Sequence, residues 1–197
     1  MSAPCIAKSE FILGGQRSGK SRRAEMLARM WLDASNTRRA VLVATAQAYD
    51  DEMHQRIARH QVDRAQRVPG MATVEEPLAL AEAIARLSQP DTLVVVDCLT
   101  LWLTNLLMPV ETDTLKQNEP LALVEYAYVA PLLIAIQNAP GPVVLVGNEI
   151  GLGVIPMGRE VRAFVDALGG LNQDIASVCQ RVTLMAAGLP LYLKDLP

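Results

Sequence analysis

Apolar residues gather into short unbroken runs along this chain: "FIL" from 11, "AVLVAT" from 40, "MATVE" from 71, "TLVVVD" from 92, "PVVLVG" from 142 and "RVTLMAA" from 181. Continuous rather than alternating runs predict strands covered on both faces. Between them the apolar period lengthens to that of a helix. After Ser21, residues Ala24, Leu27, Ala28 and Trp31 share one face; Leu80, Ile84 and Leu87 share another, with Pro77 suited to the first helical position. From Pro156 onward Val161, Phe164, Val165, Leu168, Leu171, Ile175 and Val178 keep the helical period across Gly169-Gly170, where a weak point or break is expected. The closing "GLPLYLK" is expected to turn back as an antiparallel edge strand. Strands alternating with helices predict an α/β fold: an open, mostly parallel sheet with helices on both faces and ligands at the carboxyl ends of the strands.

A chain of 197 residues, 51 % of them apolar, is long enough to bury one sizeable core. No repeat or linker divides it, so residues 1–197 read as a single domain with 1–10 as a short N-terminal extension. Tyr126 to Asn148 carries no charge and has the length to cross a bilayer, but Pro131, Gln137, Asn138 and Pro140-Gly141-Pro142 would interrupt a spanning helix. That stretch reads as a buried helix, a loop and a buried strand, with no stable membrane insertion. Residues 109–120 read as an exposed connection. The net charge of -3 argues against a general grip on nucleic acid, so an anionic ligand must be held locally. Cys5, Cys98 and Cys179 show no paired spacing and read as structural thiols of a reducing compartment. With no secretory pattern at the N-terminus, a cytoplasmic location is expected.

One turn carries recognisable chemistry. Gly14-Gly15-Gln16-Arg17-Ser18-Gly19-Lys20-Ser21 matches the phosphate-binding pattern of two glycines four residues apart, then lysine and a hydroxyl, set between a predicted strand and a predicted helix. There, backbone N–H groups and the helix N-terminus can converge on phosphate oxygens. Lys20 would reach the β and γ phosphates and Ser21 would offer its hydroxyl to Mg2+. The expected architecture is a three-layer fold like that of P-loop NTPases. Asp97, delivered by "TLVVVD" to the same sheet edge, alone reads as a solvated strand-end carboxylate; joined to the glycine loop it becomes a candidate for orienting Mg2+.

A second group lies in "AQAYDDEMHQRIARHQVDR". Asp50, Asp51 and Glu52 suit the first turn of a helix. Met53, Ile57 and His60 fall on one stripe, and Arg56, Arg59 and Arg64 surround the histidine with positive charge. Such a histidine reads more readily as a packed core residue than as a catalytic one. Nearby arginines would nevertheless favour the neutral, nucleophilic imidazole. Spacing does not choose between these.

Together "GGQRSGKS", "ATAQAYDDEMHQRIARHQVDR", "VDCLTLWLTN", "GNEIGLGVIPMGR" and "LNQDIASVCQRVTLMAAGLPL" resemble the bifunctional adenosylcobinamide kinase and adenosylcobinamide-phosphate guanylyltransferase family of cobalamin biosynthesis, over about residues 11–193. The resemblance implies two reactions. The γ-phosphate of ATP or GTP passes to the aminopropanol hydroxyl of adenosylcobinamide; a histidine then attacks the α-phosphate of GTP and hands GMP to adenosylcobinamide phosphate. His60 stands at that histidine's place, with Arg59 where some members carry a neighbouring histidine. The resemblance further implies catalytic roles for His60 and Lys20 and nucleotide contacts from the loop Gly14–Ser21, from Ala44, Thr45 and Ala46, from Gln61, Val62, Asp63 and Arg64, and from Glu75 and Asp97. Ser21 and Asp97 would serve Mg2+. Glu75 reads more simply as a surface carboxylate, and Asp97 replaces a glutamate of some members. Glu149 either shapes its glycine-rich loop or faces the corrinoid. A homotrimer with active sites near subunit boundaries is also implied.

Two other readings can be told apart from this one. A monofunctional P-loop kinase would form no covalent GMP adduct. A GTPase switch would want an Asn-Lys-x-Asp motif, which the chain lacks, and its one Asp-x-x-Gly candidate, Asp166 to Gly169, lies within a helical pattern.

Overall fold

The computed structural model describes residues 6–47, 51–108, 125–154 and 157–196; side chains at 51–54, 56, 57, 60, 125 and 126 also lie outside the described set. Its sheet has seven strands: β1 (Ser9–Gly14), β2 (Arg39–Ala44), β3 (Ala72–Glu75), β4 (Thr92–Asp97), β5 (Val143–Val146), β6 (Arg181–Ala186) and β7 (Leu189–Asp195). The order is β3-β2-β4-β5-β1-β6-β7, parallel throughout except for the antiparallel β6–β7 edge pair. The expected sheet is therefore present, including the strand that turns back at the end.

Helices cover both faces because every central strand is apolar on both. Ile12, Leu42, Leu93, Val95, Val144 and Val146 face one way, packing with Ala24, Leu27, Ala28 and Trp31 of α1 (Lys20–Asp33) and with Val68 after α2 (Asp51–Arg67). Phe11, Val43, Val94, Val96, Val143 and Leu145 face the other way. That face is covered by α3 (Leu80–Leu87), α4 (Leu99–Leu107), α5 (Ala130–Asn138) and α6 (Arg159–Val178). Alternate side chains of one strand thus enter two separate cores.

Several boundaries differ from the sequence reading, each for a local reason. β1 starts at Ser9, two residues before the apolar run, and brings Glu10 into the interior at 1 % exposure. Glu10 is tolerated there because Arg23 Nε donates to its carboxylate at 2.7 Å and Thr183 Oγ1 at 2.9 Å, with Arg181 at 3.5 Å. α3 starts at Leu80 rather than at Pro77, since Glu76 Oε1 accepts the N–H groups of Leu78 and Ala79 and holds residues 77–79 in a turn. α6 runs unbroken through Gly169-Gly170; packing of Leu168, Leu171 and Ile175 outweighs the low helix propensity of two glycines. Asp166 to Gly169 is helical, as expected. The stretch from Tyr126 is a π-helical turn (Glu125–Val129), α5, a loop and β5. Among the described residues no helix is long and apolar enough to cross a membrane. The connection 109–120 lies outside the described residues.

Candidate active site

The glycine loop joins β1 to α1, as its sequence requires. Gly14 is buried against the last strands: a Cβ there would come within 2.5 Å of both the Met185 carbonyl and Ser18 Oγ. Gly15, Gln16 and Arg17 are exposed, whereas Ser18 is buried with its hydroxyl unpartnered among the described residues. Gly19 caps α1 at φ 102, in the region where L side chains are strained. Lys20 follows at 9 % exposure, its Nζ donating to the Gly15 carbonyl at 2.7 Å, which holds the ammonium over the loop. Burial pushes the Lys20 pKa down from the ordinary lysine value, and the neighbouring Cys98 and Asp97 pull it back up. Ser21 is part-buried in the first turn of α1.

Strand register sets the remaining residues along the same carboxyl edge. Ala44 pairs with Asp97 on one side and with Glu75 on the other, and Asp97 pairs with Val146. At about 4.8 Å per strand, Asp97 stands about 10 Å from the β1 exit, Ala44 about 14 Å and Glu75 about 19 Å. The edge therefore presents loop amides and an ammonium at one end and carboxylates farther along. Glu75 is exposed there, while Thr45 is fully buried.

A set of hydrogen bonds stitches these strand ends together. Thr45 Oγ1 donates to the Cys98 carbonyl and accepts the Cys98 N–H; Asn105 Nδ2 donates to the carbonyls of Thr45 at 2.8 Å and Pro77 at 3.1 Å. Thr100 Oγ1 accepts the Asn148 N–H, and Asn172 Nδ2 donates to the Asn148 carbonyl. The Glu149 N–H donates to the Gly14 carbonyl at 3.1 Å, which seats the "GNEIGLG" corner on the phosphate loop. Glu149 Oε1 accepts the Gly151 N–H and Oε2 receives Asn172 Nδ2 at 3.4 Å, so the carboxylate shapes its own loop. No sequence motif assigns a role to Thr100, Asn105 or Asn172. The available signal was a polar residue inside an apolar helical stretch, because a buried amide must find partners.

The structure does not bring every expected residue to this edge through described contacts. His60 lies in α2, with its side chain outside the described residues. Gln61 and Val62 are exposed and Asp63 and Arg64 part-exposed in the second half of that helix. Asp63 accepts from Arg67 at 3.3 Å, and Arg67 also donates to Glu25 of α1 at 3.1 Å, tying the end of α2 to the helix that follows the loop. Asp50 lies outside the described residues.

The family model for cobinamide kinase / cobinamide phosphate guanyltransferase matches residues 10–193. The chain is 46 % identical to the bifunctional adenosylcobalamin biosynthesis protein CobP of Pseudomonas aeruginosa, over 95 % of this chain and 98 % of that one. It is 34 % identical to the CobU protein of Escherichia coli and 33 % to that of Salmonella typhimurium, each over 93 % of this chain and 98 % of the relative. Among solved structures, the flagellar accessory protein FlaH of Methanocaldococcus jannaschii superposes with a TM-score of 0.52 at 12 % identity, covering 99 % of this chain and 82 % of that one. A Pyrococcus horikoshii protein gives 0.50 at 10 % identity, covering 98 % and 89 %. These two share the fold. With nearly the whole length matched by family and relatives alike, the chain belongs to the cobinamide kinase / cobinamide phosphate guanyltransferase family and is a bifunctional enzyme of that kind.

Proposed function

We propose that the carboxyl edge of the sheet binds ATP or GTP for the kinase step, with adenosylcobinamide as acceptor, and GTP for a guanylyl transfer through His60 to adenosylcobinamide phosphate. The observation that carries this reading is the hydrogen-bonded joining of the glycine loop, Asp97 and the β2 exit along one edge. In the kinase step the acceptor hydroxyl oxygen forms a bond to the γ-phosphorus while the bond to the β–γ bridging oxygen breaks, releasing the nucleoside diphosphate and the hydroxyl proton. Loop amides and Lys20 neutralise charge on the phosphoryl oxygens as it develops. Ser21 and Asp97 supply one hydroxyl and one carboxylate, hard oxygen donors of the kind Mg2+ accepts alongside substrate phosphates. When bound, that ion would offset phosphate charge.

In the second reaction an imidazole nitrogen of His60 attacks the α-phosphorus, forming a P–N bond and releasing pyrophosphate. A phosphate oxygen of adenosylcobinamide phosphate then displaces the imidazole, giving adenosylcobinamide-GDP and free His60. Splitting the transfer keeps GMP in place between two easier displacements. Ala44 to Ala46, Gln61 to Arg64 and Glu75 supply nucleotide contacts in this reading, and a cytoplasmic homotrimer is the working form.

The test uses GTP labelled at the α-phosphate. Wild-type protein with Mg2+ should retain label after denaturation, acid-labile and base-stable, and His60→Asn should retain none. Absence of label from both would overturn the covalent histidine route and leave guanylyl transfer by direct attack of adenosylcobinamide phosphate on GTP.

A further inference from the structure

We propose that Gly188, at the turn of the β6–β7 hairpin and outside the glycine-rich motif, is a positioning residue that aims the phosphate loop. Its N–H donates to the Ser18 carbonyl at 3.0 Å. The Ser18–Gly19 peptide is planar and trans, so its carbonyl and its N–H point in opposite directions. Fixing the carbonyl toward the hairpin therefore fixes the Gly19 N–H away from it, at the start of α1, where an anion meets the helix dipole.

The hairpin turn is built to come this close. Ala187 at φ 52 and Gly188 at φ 80 form the tight two-residue connection that matches strand twist. Gly188 Cα lies 3.2 Å from where a Cβ on Gly19 would stand, and the Met185 carbonyl of the same hairpin occupies the space beside Gly14. The hairpin thus leaves no room for a side chain at Gly14 and little at Gly19. The turn backs the loop, and the orientation of the Gly19 N–H is set by a hydrogen bond within the protein itself.

This inference rests on the phosphate-loop reading, and the experiment separates the two. Cys179 allows residues 179–197 to be made synthetically and ligated to a 1–178 thioester, giving the full chain with the Ala187–Gly188 amide replaced by an ester. The ester removes one N–H and keeps the turn. Calorimetry with Mg2+ and a GTP analogue whose α–β bridging oxygen is a methylene, so that His60 cannot displace pyrophosphate, should give a Kd raised about 3- to 10-fold, the value of one hydrogen bond. Gly188→Asn, which keeps the N–H and tolerates the left-handed region, should stay within about twofold of wild type. An ester chain that folds, even with a lower thermal midpoint, and binds the analogue as wild type does would overturn the proposal. If the ester chain does not fold, the wild-type protein still decides: a through-hydrogen-bond NMR coupling between the Gly188 nitrogen and the Ser18 carbonyl carbon supports it, and absence of that coupling overturns it. Failure of wild-type protein itself to bind the analogue would overturn the phosphate-loop reading and this inference with it.

Discussion

The Thr45 hydroxyl donates to the Cys98 carbonyl at 2.7 Å and accepts the Cys98 N–H at 2.9 Å, while the Thr45 N–H reaches the Asp97 carbonyl at 3.3 Å. Three bonds thus lock the exit of β2 to the exit of β4 at a point with no solvent access. The family resemblance implies a nucleotide contact from Thr45, whose hydroxyl also donates and accepts within the protein. Thr45→Val would leave the Cys98 N–H buried and unpaired, while the Cys98 carbonyl keeps the Trp102 N–H, and should lower stability by about 1–3 kcal/mol in urea titrations. Thr45→Ser keeps the bonds and should lose about 1 kcal/mol.

Lys20 should carry activity at a cost in stability. Lys20→Met removes the charge aimed at the phosphates and should reduce kinase turnover by about 100- to 1,000-fold. Burial depresses the lysine's pKa in the folded state, so between its folded and unfolded values the native chain holds fewer protons and stability rises with pH. Below that window the penalty is fully present. The variant should therefore be more stable than wild type at pH 7, and its advantage should shrink as urea titrations are taken into the alkaline lysine range.

Asp97 pairs in register with Ala44 at the sheet edge and interacts electrostatically with Lys20. Asp97→Asn should raise the Mg2+ concentration for half-maximal kinase rate about 10-fold, with the folded state intact by circular dichroism. An unchanged Mg2+ dependence would remove Asp97 from the metal site.

Glu10 and Arg23 form a buried ion pair at 2.7 Å, with side-chain exposures of 1 % and 4 %. Glu10→Leu strands the guanidinium and should cost about 3–5 kcal/mol by chemical denaturation. Glu10→Leu with Arg23→Met removes both charges and should recover most of that loss.

Burial pushes the Cys98 thiol up to about 11 and the Cys179 thiol up to about 12. At pH 8 both stay protonated, and the thiolate is the reactive form. Peptide mapping after treatment with an aromatic disulfide should show both reacting more than about 100-fold slower in native protein than in denaturant.

The sequence by itself determined the sheet, the two helical layers and the phosphate loop, because each is written in a local pattern: unbroken apolar runs, a 3.6-residue stripe, glycines before lysine and serine. Recognisable motifs likewise carried the family. Tertiary structure alone decided what holds those parts in register. Thr45 meets Cys98, Asn105 meets Pro77, Glu149 meets Gly14 and Gly188 meets Ser18 across long sequence separations. No short-range pattern records such pairs, since a hydrogen bond between strand ends depends on strand order and register. Glu10 shows the same limit: a carboxylate beside an apolar run reads as surface until folding delivers Arg23, Arg181 and Thr183 to it. Burial of a polar group is fixed by its partners, and the partners are chosen by topology.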